Sequence, residues 1–282
     1  MSPIQELVKE IKNLRPVPAV MNQILEVADK PDSSMGDVAN IIQYDPAVTA
    51  DVLRTCNSAF FGLKTPAESI KDAVSLLGLD QIVEIVLMKS GAKAFAGNQE
   101  GYGLHEGAMW KYSVSSAMIA KQIAVKLAVG NRNTIFTAAL LKDIGKIVLD
   151  RFVKDSFEKI TAMVVNENLT FREAEKKVIG VDHTELGGMI AKMWKFSPRM
   201  VNIIRNHHMT DRKMVKDKEI AIVYLADCIC MMIGIGVGSD GLAYRFHDAA
   251  MAELGMTPDD ISMVIADFTA NIKEVEDLLN IV

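Results

Sequence analysis

Cysteine is scarce in this chain of 282 residues: Cys56, Cys228 and Cys230 are all it has. Three thiols cannot build a disulfide framework, and a Cys-x-Cys pair puts its sulfurs roughly 200° apart on a helix, so reduced, buried cysteines are expected. Aromatics are also few, 6 % of residues in a chain that is 50 % hydrophobic. The core must then be filled by Ala, Leu, Ile, Val and 17 Met, a mixture suited to packing helix on helix. A basic excess is missing too, with 31 Lys and Arg against 36 Asp and Glu. The whole net charge of −5 resides in residues 257–282, where Asp259, Asp260, Asp267, Glu274, Glu276 and Asp277 face Lys273; residues 1–256 are formally neutral. Without a surplus of cations to displace counterions from phosphates, no nucleic-acid partner is expected.

The N-terminus lacks the apolar core of a signal peptide. "MSPIQELVKEI" instead opens like a capped helix, with Ser2 as N-cap, Pro3 in the first position and Gln5 closing a capping box. A cytoplasmic location is expected. Low-complexity tracts and internal repeats are absent. One long apolar run does occur, "IAIVYLADCICMMIGIGVG" at 220–238, but Asp227 sits near its middle and glycines 234, 236 and 238 spoil its end. It is expected to be a helix buried on all sides, with no membrane span.

Sustained period-two alternation is missing throughout, which leaves little room for strands. Helix starts recur: Asp45-Pro46, Ser156, Thr170 with Glu173, Ser197-Pro198 and Thr257-Pro258 each place a capping side chain before a helix-compatible turn. Between them apolar residues return at three and four, as in Val20, Ile24, Leu25 and Ala28, or Val38, Ile41 and Ile42. The pattern predicts an all-α, multi-helix bundle of about thirteen helices joined by short connections. The clear seam is "GNQEGYGLHEG", residues 97–107. It separates an N-terminal helical layer, 1–96, from a larger helical part, 104–282. After Thr257 the pattern of Ile261, Val264, Ile265 and Phe268 predicts an amphipathic helix docked on the rest.

The stretch that bears most on function is "AALLKDIGKIVL", residues 138–149. A His in place of Lys142 would form, with Asp143, a pair able to grip a divalent cation. Lysine offers donors and a positive charge instead. Asp143, His183 in "VDHTELGG", His207 and His208 in "IIRNHH", and Asp227 in "YLAD" could converge on a metal, since imidazole and carboxylate are usual ligands for iron, manganese and zinc. Each also has a structural explanation: histidines in a last helical turn complement exposed carbonyls, and a lone Asp in an apolar helix can be a satisfied structural group.

Several segments together carry a family resemblance. "LRPVPAVMNQILEVADKPDSSMGDVANIIQYDPAVTADVLRTCNSAFFG" supplies a proline-bounded opening, an Asp-Pro helix start and an Asn-Ser-Ala-aromatic-aromatic-Gly turn, and "SIKDAVSLLGLDQIVEIVLM", "MWKYSVSSAMIAKQIA", "AALLKDIGKIVL" and "DHTELGGMIAKMW" extend the match. Over about 12–210 the chain resembles the HDOD family, the HD-related output domain of bacterial signalling proteins, a relative of the HD and HD-GYP metal-dependent phosphohydrolases. The resemblance implies an N-terminal helical layer packed on a degenerate HD-type helical core. An active HD enzyme would carry His at Tyr112, His-Asp at Lys142-Asp143 and Asp at Asp227, so two of four ligands are replaced. His183 and the His207/His208 pair resemble additional HD-GYP ligands, but "MTDRKMV" follows where the tripeptide signature would stand. A charge of +1 about 4 Å from a dication is repelled by roughly 8 kcal/mol at an effective dielectric of 20.

Two weaker signals remain. "GVGSDG", 236–241, matches Gly-x-Gly-x-x-Gly, yet it follows a helical run and lacks the strand-turn-helix setting of a nucleotide site, so a helix-ending loop is expected. In "NSAFFG", Phe60 and Phe61 either cover the core beside a helix-ending glycine or form a docking surface. The expectation for the whole is a non-catalytic signal-transduction module that binds a signalling protein partner or a small ligand. Tyr112, Lys142, Asp143, His183, His207, His208 and Asp227 line its degenerate pocket, and it has no catalytic residue, metal or cofactor. The alternative is a metal-dependent phosphohydrolase acting on a nucleotide or cyclic dinucleotide through Asp143, His183, His208 and Asp227, with Fe, Mn or Zn and a metal-bound hydroxide.

Overall fold

The computed structural model describes residues 7, 9–11, 19–28, 34–95, 97–209, 212–243, 248–272 and 276. Among the described residues the chain forms fourteen α-helices and no strand beyond an isolated bridge between Gln99 and Leu104. The cap foreseen at Ser2, Pro3 and Gln5, and the proline-bounded opening at 14–18, lie outside the described residues. The first layer is α1 (Ala19–Ala28), α2 (Met35–Gln43), α3 (Pro46–Cys56), α4 (Ile70–Leu77) and α5 (Leu79–Phe95). The larger part holds α6 (Ala108–Leu127), α7 (Arg132–Leu141), α8 (Ile144–Glu167), α9 (Phe171–Ile179), α10 (His183–Met193), α11 (Pro198–Asn206), α12 (Lys218–Met232), α13 (Asp248–Leu254) and α14 (Pro258–Ala270).

Helix starts follow the capping chemistry. The Asp45 carboxylate accepts from the Ala47 and Val48 amides, and Ser197 accepts from Met200. Thr170 with Glu173 and Thr257 with Asp260 close capping boxes, and Ser34 with Asp37 and Ser69 with Asp72 close two more. Ser156 does not start a helix: it lies within the 24-residue α8. The reason is that Leu149, Val153, Ile160 and Val164 form one continuous buried face, so the backbone donors at 156 are already paired and a capping side chain has nothing to satisfy.

Packing explains the compositional pattern. In α12 every residue from Ile220 to Cys230 is buried, including Asp227; no helix among the described residues is long and apolar enough to cross a membrane. All three cysteines are free and buried. Helix α5 runs between the two parts. Gly91 lets it meet Trp110, whose ring lies 5.9 Å from Phe95, while Glu84 pairs with Lys121 and Asp80 accepts from Asn133 at 3.2 Å. The 97–107 stretch is packed, not strung loosely. Tyr102 is buried, and a Cβ on Gly101 would stand 2.3 Å from the Asp150 carbonyl, so only glycine lets this turn sit on α8. Helix α14 docks on α6 through buried Ile261, Val264 and Phe268, with Lys126 3.0 Å from Asp260. In "NSAFFG" the Asn57 amide clamps both backbone groups of Ala67, at 2.9 and 2.7 Å, and the half-buried Phe60 and Phe61 pack against the core.

Candidate functional site

The site forms where α7 gives way to α8. Lys142 ends α7 and Asp143 begins α8 without spending its carboxylate on a cap. Glycine makes the junction possible: a Cβ on Gly145 would fall 2.0 Å from the His183 carbonyl oxygen, and one on Gly187 would press on Ile204 and the Lys142 carbonyl. The first turn of α8 therefore seats directly on the start of α10, bringing Asp143 to His183. Helix α12 adds Asp227 from one side, and α6 adds Tyr112.

Lys142 is fully buried. Its Nζ is bonded to Asp143 and lies 2.8 Å from Oδ1 of Asp227, with the Tyr112 ring centroid 4.1 Å away. The Tyr112 hydroxyl donates to Asp227. Lys146, one turn along α8, reaches Asp143 at 2.9 Å and Asp240 at 2.6 Å. Two ammonium groups thus face three carboxylates, all but Asp240 buried. Burial pulls the Lys142 pKa down, but Asp143 and Asp227 outweigh it and hold the pKa above the ordinary lysine value. Burial would likewise raise Asp143, whereas Lys142 and Lys146 hold it well below the usual carboxylate range. Asp227 is also lowered, by Lys142 against the effect of burial. Lys142, Asp143 and Asp227 are internally paired, each ammonium–carboxylate contact favouring the charged form of both partners.

Beside it stands a histidine corner. Ring nitrogens of His183, His207 and His208 lie within 4.8 Å of one another. His207 Nδ1 donates to the Ile204 carbonyl at 2.8 Å, which leaves Nε2 as the bare lone pair. That Nε2 has no hydrogen-bond partner and stands 3.8 Å from Asp143 Oδ1. His183 gives Nδ1 to Glu175 at 2.7 Å and turns Nε2 toward His208 Nε2 at 3.0 Å and Asp143 at 3.9 Å. Burial pushes the His207 pKa down to about 4, and burial together with the neighbouring imidazoles takes His208 well below its ordinary value. For His183 the burial effect is reversed by Glu175, which raises its pKa. A dication between Asp143 and Asp227 does not fit, because the Lys142 ammonium fills that space. The three imidazoles do fit one transition-metal ion, with ring nitrogens within 4.8 Å of one another and a buried, unpartnered His207 Nε2 among them.

All seven residues singled out from the sequence meet here. Four more belong with them: Lys146, Glu175, Tyr102 and Asp240. Lys146 lies one turn beyond Lys142 in the same quoted stretch. Glu175 had a legible signal, since it occupies the third place of an otherwise apolar Phe171, Ala174, Glu175, Val178 stripe, and it is fully buried. Tyr102 donates its hydroxyl to Glu175 at 2.6 Å from within the seam. Asp240 belongs to "GVGSDG", whose glycines serve close packing: a Cβ on Gly236 would stand 2.5 Å from Tyr112 Cβ, and one on Gly238 2.2 Å from the Tyr102 carbonyl.

Comparison with known proteins bears on the fold and the family. A structure of an HDOD domain protein of unknown function from Geobacter sulfurreducens is 25 % identical, with 98 % of this chain and 97 % of that chain covered and a TM-score of 0.70. A protein named as a candidate signal-transduction protein from Marinobacter aquaeolei VT8 is 17 % identical, covering 99 % of this chain and 65 % of that one, with a TM-score of 0.76. A protein named as a candidate phosphohydrolase from Shewanella amazonensis SB2B is 22 % identical, covering 98 % and 97 %, with a TM-score of 0.68. An uncharacterized protein of Treponema pallidum (strain Nichols) is 22 % identical over 201 residues, 70 % of this chain and 38 % of that protein, so the chain spans well under half of that curated relative. The model of the HDOD domain matches residues 14–210, which include the Lys142-Asp143 junction and the histidine corner, and the chain belongs to the HDOD domain family.

Proposed function

We propose that the chain is a non-catalytic signal-transduction module, which binds a partner protein or a small ligand and keeps the HD-type pocket as a locked polar core. The observation that carries this reading is the buried Lys142 ammonium between Asp143 and Asp227. A hydrolytic site needs a dication there to polarise phosphate and supply hydroxide; a lysine neutralises the carboxylates but provides no Lewis acid. Tyr112, bonded to Asp227, completes the replacement.

The second reading, a metal-dependent phosphohydrolase acting through Asp143, His183, His208 and Asp227, draws on the histidine corner and its bare His207 Nε2. Iron, manganese or zinc held there would supply a Lewis acid on one side of Asp143. Element analysis of freshly purified protein, combined with assays on bis-(p-nitrophenyl) phosphate and a cyclic dinucleotide, separates the two. No turnover above background is expected with or without added manganese. Turnover stimulated by manganese or iron and abolished by Asp143→Ala would overturn the non-catalytic reading.

A further inference from the structure

Glu175 is 0 % exposed and holds three donors: the Tyr102 hydroxyl at 2.6 Å, the His183 backbone amide at 3.1 Å and His183 Nδ1 at 2.7 Å. A buried carboxylate on Nδ1 does two things to an imidazole. It fixes ring and tautomer, and it makes the opposite nitrogen a stronger electron-pair donor. His207 is oriented in the same sense by the Ile204 carbonyl, so both rings turn Nε2 toward Asp143. Tyr102 in turn belongs to a braced turn. Its ring packs on Phe171 with centroids 5.8 Å apart, its amide bonds the Gln99 carbonyl at 3.1 Å, and the Gly101 amide donates to Asp150 at 2.9 Å. A continuous path of hydrogen bonds thus runs from His183 through Glu175 to the 99–104 turn, which lies directly after α5 of the N-terminal layer.

We propose that Glu175 and Tyr102 are positioning residues: they hold His183 with Nε2 presented to a divalent transition-metal ion shared with His207 and His208, and they pass occupancy of that corner to the 99–104 turn. The proposal rests on the histidine corner taking a cation and does not require hydrolysis. An ion that pins His183 also pins its Nδ1 partner, and Glu175 then holds Tyr102 and the turn that carries it. Lys142 limits the site to one ion by occupying the second position.

The test uses the full chain, stripped with a chelator and titrated with Co2+, whose visible absorption reports binding. It adds ¹⁵N-histidine spectra for the tautomer and amide exchange for residues 99–104. One Co2+ per chain is expected, with slower exchange at 99–104 on binding. Glu175→Gln is expected to weaken binding by roughly 10–100-fold and to disturb the His183 tautomer, and Tyr102→Phe to weaken it less. Wild-type affinity and tautomer in both variants would overturn the positioning role, as would exchange at 99–104 that ignores Co2+. A wild-type chain that binds no Co2+ overturns the proposal and leaves the non-catalytic module standing; two ions per chain would overturn the role given to Lys142.

Discussion

At the scale of single residues, one lysine sets the character of the pocket. Asp143 and Asp227 are both about 2 % exposed, and two uncompensated carboxylates in such a place would be costly enough for one to take a proton. A cation is required, and Lys142 supplies it on a four-carbon stem that ends between them. Removing it orphans both partners. Lys142→Ala is therefore expected to destabilise the chain by about 3–5 kcal/mol, measured by urea unfolding at neutral pH. Lys154→Ala, which breaks an exposed pair with Glu100, is expected to leave the unfolding curve unchanged. A neutral outcome for Lys142→Ala would show that the carboxylates do not depend on it. The lysine and both aspartates are legible in the sequence and the family resemblance implies that they meet, but no local signal spans the 84 residues between Asp143 and Asp227: α12 carries Asp227 to the junction by packing on α6 and α7.

At the scale of elements, two connections behave differently from their appearance as sequence. The glycine-rich seam reads as a divider, yet its short turn is wedged on α8. Gly101→Ala is expected to cost about 1–3 kcal/mol through overpacking against the Asp150 carbonyl, whereas Gly97→Ala, whose added Cβ would meet only the Gln99 side-chain amide at 3.9 Å, should be silent; paired urea unfolding curves check both. The last helix shows the opposite case, in which local chemistry predicts behaviour directly. Asp260 closes the Thr257 capping box and faces Lys126, and the Thr257 amide and hydroxyl with Lys126 lower its pKa from 3.8 to about 2. A carboxylate lowered on folding stabilises the folded chain above the unfolded pKa and loses that contribution as pH falls through the folded one. Wild type should therefore melt above Asp260→Asn at neutral pH, with the gap closing as pH drops from 3.8 toward about 2. A gap that is constant across that window would remove the charge of Asp260 from the explanation.

At the scale of the whole molecule, the two helical parts share a single apolar core that runs from Leu7 to Phe268. Helix α5 makes this concrete: Ile82, Val83, Ile85, Val86, Leu87 and Met88 are all buried, so the middle of the helix has no face left for water and each part would expose it if separated. Fragments 1–96 and 104–282 are expected to show no cooperative melt alone and to regain one when mixed; two independently melting fragments would contradict this. The sequence by itself determined the helical class, most helix starts and the family, because capping, three-four periodicity and the Asp-Pro and Asn-Ser-Ala-Phe-Phe-Gly motifs act within a few residues. The misplaced start at Ser156 arose because a capping residue means nothing inside a helix whose buried face continues on both sides. Only the tertiary structure decided that Lys142 points inward, that His207 keeps an unpaired nitrogen and that Glu175 and Tyr102 stand behind His183. Those facts depend on which helices touch and how closely, and close approach is set by glycines and packed faces far apart in the chain.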